Sequence, residues 1–317
     1  MTKEYVGAAV MALQEINKVI LGKQNEIAEV MTAFLANGHV LLEDIPGVGK
    51  TTLASAFSKA MSLKCNRVQF TPDVMPSDLT GFSVYRREEE KFVYQQGSVF
   101  CNLLLADEIN RTSPKTQSAL LEVMEERKVS VEGVTRSVPD PFLVIATQNP
   151  SGASGTQTLP EAQIDRFMIN MSIGYPDFGS ELQMAKSIGK GSRTDLIQPV
   201  LDKDTFLAMQ NEIHDIYIKD EIYSYILSLV TATRNHPNIV RGASPRATIA
   251  MVKMTKASAW LRGREFVVPN DITDQLPYVL NHRILLSSNA VLQGLSKYDV
   301  IQDIINNVKR PYMGETK

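Results

Sequence analysis

The sequence predicts an α/β fold: a parallel sheet flanked by helices, with a phosphate-binding loop at its first strand and an all-α domain behind it. Three observations predict it. The stretch from His39 to Leu53, HVLLEDIPGVGKTTL, runs an apolar strand into a glycine turn and then into a helix. Apolar runs of strand length then alternate with helical stretches, the signature of a parallel sheet covered on both faces. From Asp202 onward only helical periodicity remains. The expected division is a nucleotide-type α/β domain over 1–174, a linker over 175–201 and a helical domain over 202–317.

Each element has its own signal. Val6, Val10, Leu13, Ile16 and Ile20 recur at helical steps, and Gly22 stops that helix. A second helix runs from about Gln24 to Ala36 and ends at Asn37-Gly38. After the loop, Leu53, Phe57 and Met61 form a stripe that packs on the sheet. Arg67 to Phe70 is a short strand. Phe82 and Val84, then Phe92 and Tyr94, alternate with polar residues around the charged tip Arg86 to Lys91, which reads as a hairpin insert. The competing reading is a solvated charged loop. Cys101 to Ala106 is a continuous apolar run, as expected of a strand buried on both faces. Ser113-Pro114 opens a helix, with the hydroxyl as cap and proline in the first turn. Lys128 to Val138 alternates around Glu132-Gly133 as a second hairpin. Phe142 to Ala146 and Phe167 to Ser172 are the last two buried strands, and Gly189 to Ser192 lies in a polar linker. Ser244-Pro245 caps a helix that includes Arg246 and Trp260 and stops at Gly263.

Composition narrows the function classes. The 317 residues are 44% hydrophobic and 21% charged, as in a globular protein with ample core. Thirty-three basic against 35 acidic residues leave a net charge of −2, which argues against a dedicated nucleic-acid binder. Cys65 and Cys101 have neither metal spacing nor a disulfide framework, so they read as small hydrophobes in a reducing, cytoplasmic compartment. The four histidines are scattered, and no metal site is read from them. No apolar run reaches the ~18 residues that a membrane span needs, and the N-terminus lacks a signal-peptide layout.

The chemistry-bearing residues begin with the loop Pro46, Gly47, Val48, Gly49, Lys50, Thr51, Thr52. Glycines let backbone N–H groups curl around a phosphate without Cβ clashes, and the helix N-terminus adds partial positive charge. Lys50 can reach the β- and γ-phosphates of a nucleotide, and the Thr51 hydroxyl is placed to ligate Mg²⁺. The pattern G-x-x-x-x-G-K-[ST] is met except at its first position, where Asp44 stands for glycine. The bland alternative is an ordinary glycine-rich turn before a helix. Asp107 and Glu108 end the buried strand at its carboxyl edge, where ligands bind in open α/β sheets. Asp107 can hold Mg²⁺ together with Thr51, and Glu108 can orient an attacking water or accept its proton. A solvated strand end is the alternative for this pair.

The blocks LLEDIPGVGKT, FTPDVMPSDLTG, LLLADEINR, ATQNP, LPEAQIDRF and GASPRA, in that order over roughly residues 20 to 290, resemble the MoxR branch of the AAA+ ATPases. The resemblance implies ATP and Mg²⁺ as ligands, a P-loop core with a C-terminal helical lid, and a homo-oligomer, a hexameric ring being the family expectation. It implies that Asn149 is the first sensor of the γ-phosphate, rather than a turn residue before Pro150. Arg166 matches the arginine finger, acting from a neighbouring subunit; a surface pair with Asp165 or Glu161 is the alternative. Arg246 matches the second sensor, reaching phosphate when the helical domain folds over the nucleotide; otherwise it is a helix-surface arginine. The hairpins match inserts near the ring's pore, and Ile20-Leu21-Gly22 lies against the adenine by weaker analogy. The resemblance further suggests chaperone-like remodelling or metal and cofactor maturation, with clients or partners carrying a von Willebrand factor A domain. A regulatory scaffold with little turnover and a nucleic-acid motor are the competing functions. Glu108 opposes the first; charge balance and the acidic Glu88-Glu89-Glu90 tip oppose the second.

Overall fold

The computed structural model describes residues 3–312 apart from 46, 150–158 and 187–192. Pro46, Pro150 and the expected Gly189–Ser192 linker therefore lie outside the described residues. Two helices, α1 (Lys3–Asn17) and α2 (Gln24–Leu35), precede β1 (Val40–Glu43), and α3 (Lys50–Ala60) and β2 (Cys65–Gln69) follow the loop. The first helix ends earlier than its apolar steps imply. Gly22 sits five residues beyond it with φ +70, where an added Cβ would lie 2.5 Å from both Asp177 Oδ2 and Ser180 Oγ. The left-handed backbone, together with this approach, suits glycine here, and α1 has already ended at Asn17.

Next come α4 (Pro76–Thr80), the hairpin β3 (Gly81–Arg86) with β4 (Lys91–Gln96), and β5 (Leu103–Asp107). Helix α5 (Pro114–Glu126) starts as expected: Ser113 caps it by accepting from Thr116 N, with proline in the first turn. The second hairpin is β6 (Lys128–Val131) with β7 (Val134–Ser137), turning through Glu132 and Gly133 at positive φ. A hydrogen bond of 2.6 Å from Ser83 Oγ to Glu132 Oε2 ties the two hairpins together. Strand β8 (Leu143–Gln148), helix α6 (Glu161–Ile164) and strand β9 (Ile169–Met171) complete the sheet.

The sheet order is β2-β5-β8-β1-β9, every neighbour parallel. Alternation explains the apolar runs: Leu103 and Leu105 of β5 enter one core, while Leu104 and Ala106 enter the other. Leu143 and Ile145 against Val144 and Ala146 in β8 repeat the split. A strand buried on both faces has no polar side to display.

The stretch expected to be a linker contains a helix, α7 (Phe178–Lys186), with no buried residue. The C-terminal part then runs α8 (Lys203–His214), α9 (Asp220–Asn235), β10 (Ile239–Arg241), α10 (Pro245–Leu261), α11 (Pro269–Leu280), β11 (Leu285–Leu286), α12 (Ser288–Leu292) and α13 (Lys297–Asn307). The expectation of helices alone is corrected by the antiparallel ribbon β10-β11. Strands of three and two residues are too short to leave a period-2 signal. These helices do not float free: Phe206, Trp260 and Leu276 share one core with Ile16, Phe34 and Phe57. Gln210 Nε2 also donates to Phe34 O at 2.7 Å in the buried seam. Among the described residues, no helix is long and apolar enough to cross a membrane. Cys101 is buried and Cys65 half-buried, both as free thiols, and burial pushes the Cys101 thiol up to about 12.

Candidate functional site

The loop after β1 is anchored by the residue that breaks the sequence pattern. Asp44 is 4% exposed, and its carboxylate accepts from Ser172 Oγ at 2.6 Å, Ile173 N at 2.7 Å and Gly174 N at 3.0 Å. The aspartate therefore fastens the loop's base to the segment leaving β9. Its carbonyl accepts from Lys50 Nζ at 2.7 Å. Burial pushes the Lys50 amine below its usual range, against the opposing pull of Asp44, Asp107 and Glu108. Gly47 and Gly49 hold φ +92 and +93, and an added Cβ at either would meet nothing within 4 Å. The backbone there curls around open space, as a phosphate cradle requires.

Across this space stands the carboxyl edge of β5. Thr147, at the end of β8, organises both acids. Its hydroxyl donates to Asp107 Oδ1 at 2.6 Å and accepts from Glu108 N at 2.9 Å. Asp107 Oδ2 pairs with Arg67 at 2.8 Å. Glu108 has φ +58, a left-handed backbone that a non-glycine residue adopts at a cost and that turns its carboxylate back toward the loop's cavity. Asn149 Nδ2 donates to Glu108 Oε1 at 3.0 Å, and Gln69 Nε2 and Arg111 Nη1 donate to Oε2 at 3.0 and 2.8 Å. Lys50, Thr51, Asp107, Glu108 and Asn149 thus line one cavity of about 390 Å³. Arg67, Gln69, Arg111 and Thr147 were not singled out from sequence. The β2-β5-β8 adjacency brings Arg67, Gln69 and Thr147 to the acids, whereas Arg111 lies three residues beyond Glu108 in the turn after β5.

A second cavity, of about 530 Å³, opens on the other side of the loop and shares Gly47, Gly49 and Thr52 with the first. Ile20, Leu21, Val48, Tyr175 and Pro176 give it apolar walls suited to a flat ring. Gly22 does not line it, although both of its neighbours do; an added Cβ there would lie 2.5 Å from Asp177 Oδ2 and Ser180 Oγ.

The donor set fits a magnesium nucleotide. Asn149 Oδ1 is a buried oxygen without a hydrogen-bond partner beside the loop cavity. Among the described residues no group of three or more His, Cys, Asp and Glu gathers, so an all-protein metal cage is absent. One hydroxyl (Thr51), one carboxylate (Asp107) and phosphate oxygens suit an ion that keeps most of its water.

The two expected arginines come together elsewhere. Arg166 lies between α6 and β9, and Arg246 in the first turn of α10. Arg166 Nε lies 2.9 Å from Glu125 Oε2, an ion-pair contact without hydrogen-bond alignment, and Arg246 Nη2 donates to Glu125 Oε1 at 2.6 Å. Both line a separate cavity of about 280 Å³ with His39, Lys253 and Arg283, and neither lines the cavities beside the loop. Arg246 is accordingly not poised over its own chain's loop, and the partner of Arg166 is Glu125 rather than Asp165 or Glu161. Those acids are taken by Arg283 and Arg241. His39 sets the floor: Val144 N donates to its Nδ1 at 3.1 Å, so Nε2 carries the proton to Met124 O at 3.1 Å. Burial pushes its pKa down to about 3, and the neutral ring pins the last turn of α5, where Glu125 stands.

A glycine loop, a strand-end acid pair and a helical lid define a P-loop nucleotide-binding protein. Residues 39–169 match the profile of the ATPase family associated with various cellular activities (AAA), and residues 231–304 match the AAA lid domain. The chain is 44% identical to the uncharacterised YeaC of Bacillus subtilis (strain 168), over 95% of this chain and 94% of that one. It is 37% identical to Chaperone MoxR1 of Mycobacterium tuberculosis, over 95% of this chain and 81% of that one. The crystal structure of a proposed ATPase from Cytophaga hutchinsonii superposes with a TM-score of 0.91 at 37% identity, covering 98% and 96% of the two chains. The chain belongs to the MoxR family of AAA+ ATPases.

Proposed function

We propose that this chain hydrolyses ATP at the interfaces of a ring, the hexamer being the working assembly, and uses the cycle to remodel protein clients in the cytoplasm. One observation carries the reading: Glu108 and the two arginines, Arg166 and Arg246, line separate cavities of one chain. A complete catalytic set then requires a second copy, arranged head to tail.

ATP binds with its phosphates in the Gly47–Thr52 cradle and its base among Ile20, Leu21 and Tyr175. Bound Mg²⁺, held by Thr51 and Asp107 directly or through water, supplies charge neutralisation at the β- and γ-phosphates. Glu108 orients a water and accepts its proton as the water oxygen bonds to the γ-phosphorus. The bond to the bridging oxygen breaks, and ADP leaves with that electron pair. Asn149 holds Glu108 in place through its amide and offers its unpartnered oxygen to the attacking water. Arg166 and Arg246 of the neighbouring copy leave Glu125 for the transferred phosphoryl group.

The chaperone-like role rests on the name of the mycobacterial relative and on the family resemblance, which also suggests von Willebrand factor A domain proteins as clients or partners. The test is subunit mixing. Arg166→Ala and Lys50→Ala, each inactive alone, should regain hydrolysis together, because mixed interfaces pair an intact loop with an intact finger. No recovery in rings shown to be mixed would refute the reading.

A further inference from the structure

Arg283 follows α11 in the helical part, and its side chain is 3% exposed. A buried guanidinium is costly unless every donor is matched. Here all five N–H groups are matched. Nε donates to Asp165 Oδ1 at 2.7 Å; Nη1 donates to Met168 O at 3.0 Å and Val279 O at 2.6 Å. Nη2 donates to Asp165 O at 2.9 Å and Phe167 O at 2.6 Å. The last two carbonyls belong to the residues immediately before and after Arg166. His282 adds a donor to Phe167 O at 3.0 Å, its ring kept neutral by burial.

The same network reaches the other arginine. Asp165 Oδ2 accepts from Ser244 Oγ at 2.8 Å, and Ser244 caps α10 by accepting from Arg246 N at 3.2 Å. An unbroken path therefore runs from the backbone around Arg166, through Arg283 and Asp165, to the backbone of Arg246. Its links are side chains on backbone groups, the Arg283–Asp165 ion pair and the Ser244–Asp165 hydrogen bond.

We propose that Arg283 is a positioning residue that mounts the finger segment on the helical domain, so that Arg166 and Arg246 reach the neighbour's triphosphate as one unit. The proposal rests on the reading that the finger acts between subunits. It assigns the helical domain a catalytic purpose toward the adjacent copy. Arginine is required because its planar fork serves carbonyls on two sides; lysine has three donors, no fork and a compact charge.

The test is Arg283→Lys, which keeps the charge opposite Asp165. Titration with a fluorescent ATP analogue should give unchanged affinity, while kcat falls at least about tenfold, part of what a misplaced finger forfeits. Mixing separates a positioning defect from general damage. Arg283→Lys with Lys50→Ala should recover activity, since the partner supplies a well-held finger. Arg283→Lys with Arg166→Ala should not, since neither supplies one. Recovery in that second pair, or a wild-type kcat, would overturn the proposal, as would failure to recover in the first pair. Failure of the reference pair, Arg166→Ala with Lys50→Ala, would instead remove the reading beneath it. Should Arg283→Lys not fold, Ser244→Ala cuts the same path more gently and should show a smaller kcat loss with the same mixing pattern. Full finger donation by Ser244→Ala as well would refute the mount.

Discussion

The loop site and the arginine site differ in how their charge is balanced. Around the loop, two carboxylates face Lys50 and the N-terminus of α3, with Arg67 and Arg111 outside them. In the other cavity, Arg166, Arg246, Lys253 and Arg283 stand against only Glu125 and Asp165. The first site has donors, acids and an open cradle, and the arginine that lines it, Arg67, is paired with Asp107. The second has cations in excess of its two carboxylates. On the proposed reading the next subunit supplies what each site lacks, and mutations should then divide along that line.

The largest effect expected is that of Arg166→Ala. Hydrolysis should fall by about a thousandfold or more, the scale of a missing finger, with ATP affinity retained in equilibrium titration. A matching loss of affinity would mean that Arg166 serves its own loop and would dissolve the contrast. Glu108→Gln should come next, lowering turnover by about a hundredfold or more while ATP still drives assembly in sedimentation runs. Turnover surviving this change would deny Glu108 its role. Asp44→Ala should act on folding first. It strands the Ile173 and Gly174 N–H groups, which at ~1–3 kcal/mol each should lower the melting temperature by several degrees and weaken ATP binding, with Arg166 undisturbed. An unshifted melt would show that the anchor is dispensable.

The loop, the acid pair, both hairpins and the Ser113 and Ser244 caps were legible because each is written in consecutive residues. The roles proposed for Asn149 and the two arginines come from family resemblance. What escaped depends on adjacency. Thr147 organises Asp107 and Glu108 only because β8 lies beside β5, and Gln69 reaches Glu108 only because β2 does. Arg283 reads in sequence as an ordinary cation after a helix; its five acceptors come from residues spread between Asp165 and Val279. Asp44 looked like a flawed motif and proves to be the loop's anchor. Helix α7 and the ribbon β10-β11 were missed because one is amphipathic without a buried face and the other too short for a period.

The smallest effect concerns the seam between the two halves. Glu29 on α2 accepts from Gln275 of α11 at 3.2 Å, and its Oε2 is sealed from water without a partner. Burial pushes its carboxyl up to about 7. The folded chain then holds a proton that the unfolded chain releases, so stability is lost as pH rises from about 4.5 to about 7. His39 acts oppositely: its pKa of about 3 when folded costs stability as pH falls below about 6.5. Glu29→Gln should therefore gain on the wild type between pH 5 and pH 8, by at most on the order of 3 kcal/mol, in paired thermal melts. Parallel pH curves would contradict the assignment.

The most direct measurement of the central claim is ATPase activity per subunit as a function of protein concentration, with sedimentation run at each point. With loop and finger in different copies, as proposed, specific activity should climb from near zero in dilute monomer to a plateau as rings form. A specific activity that stays constant into the range where every chain is monomeric would contradict the account.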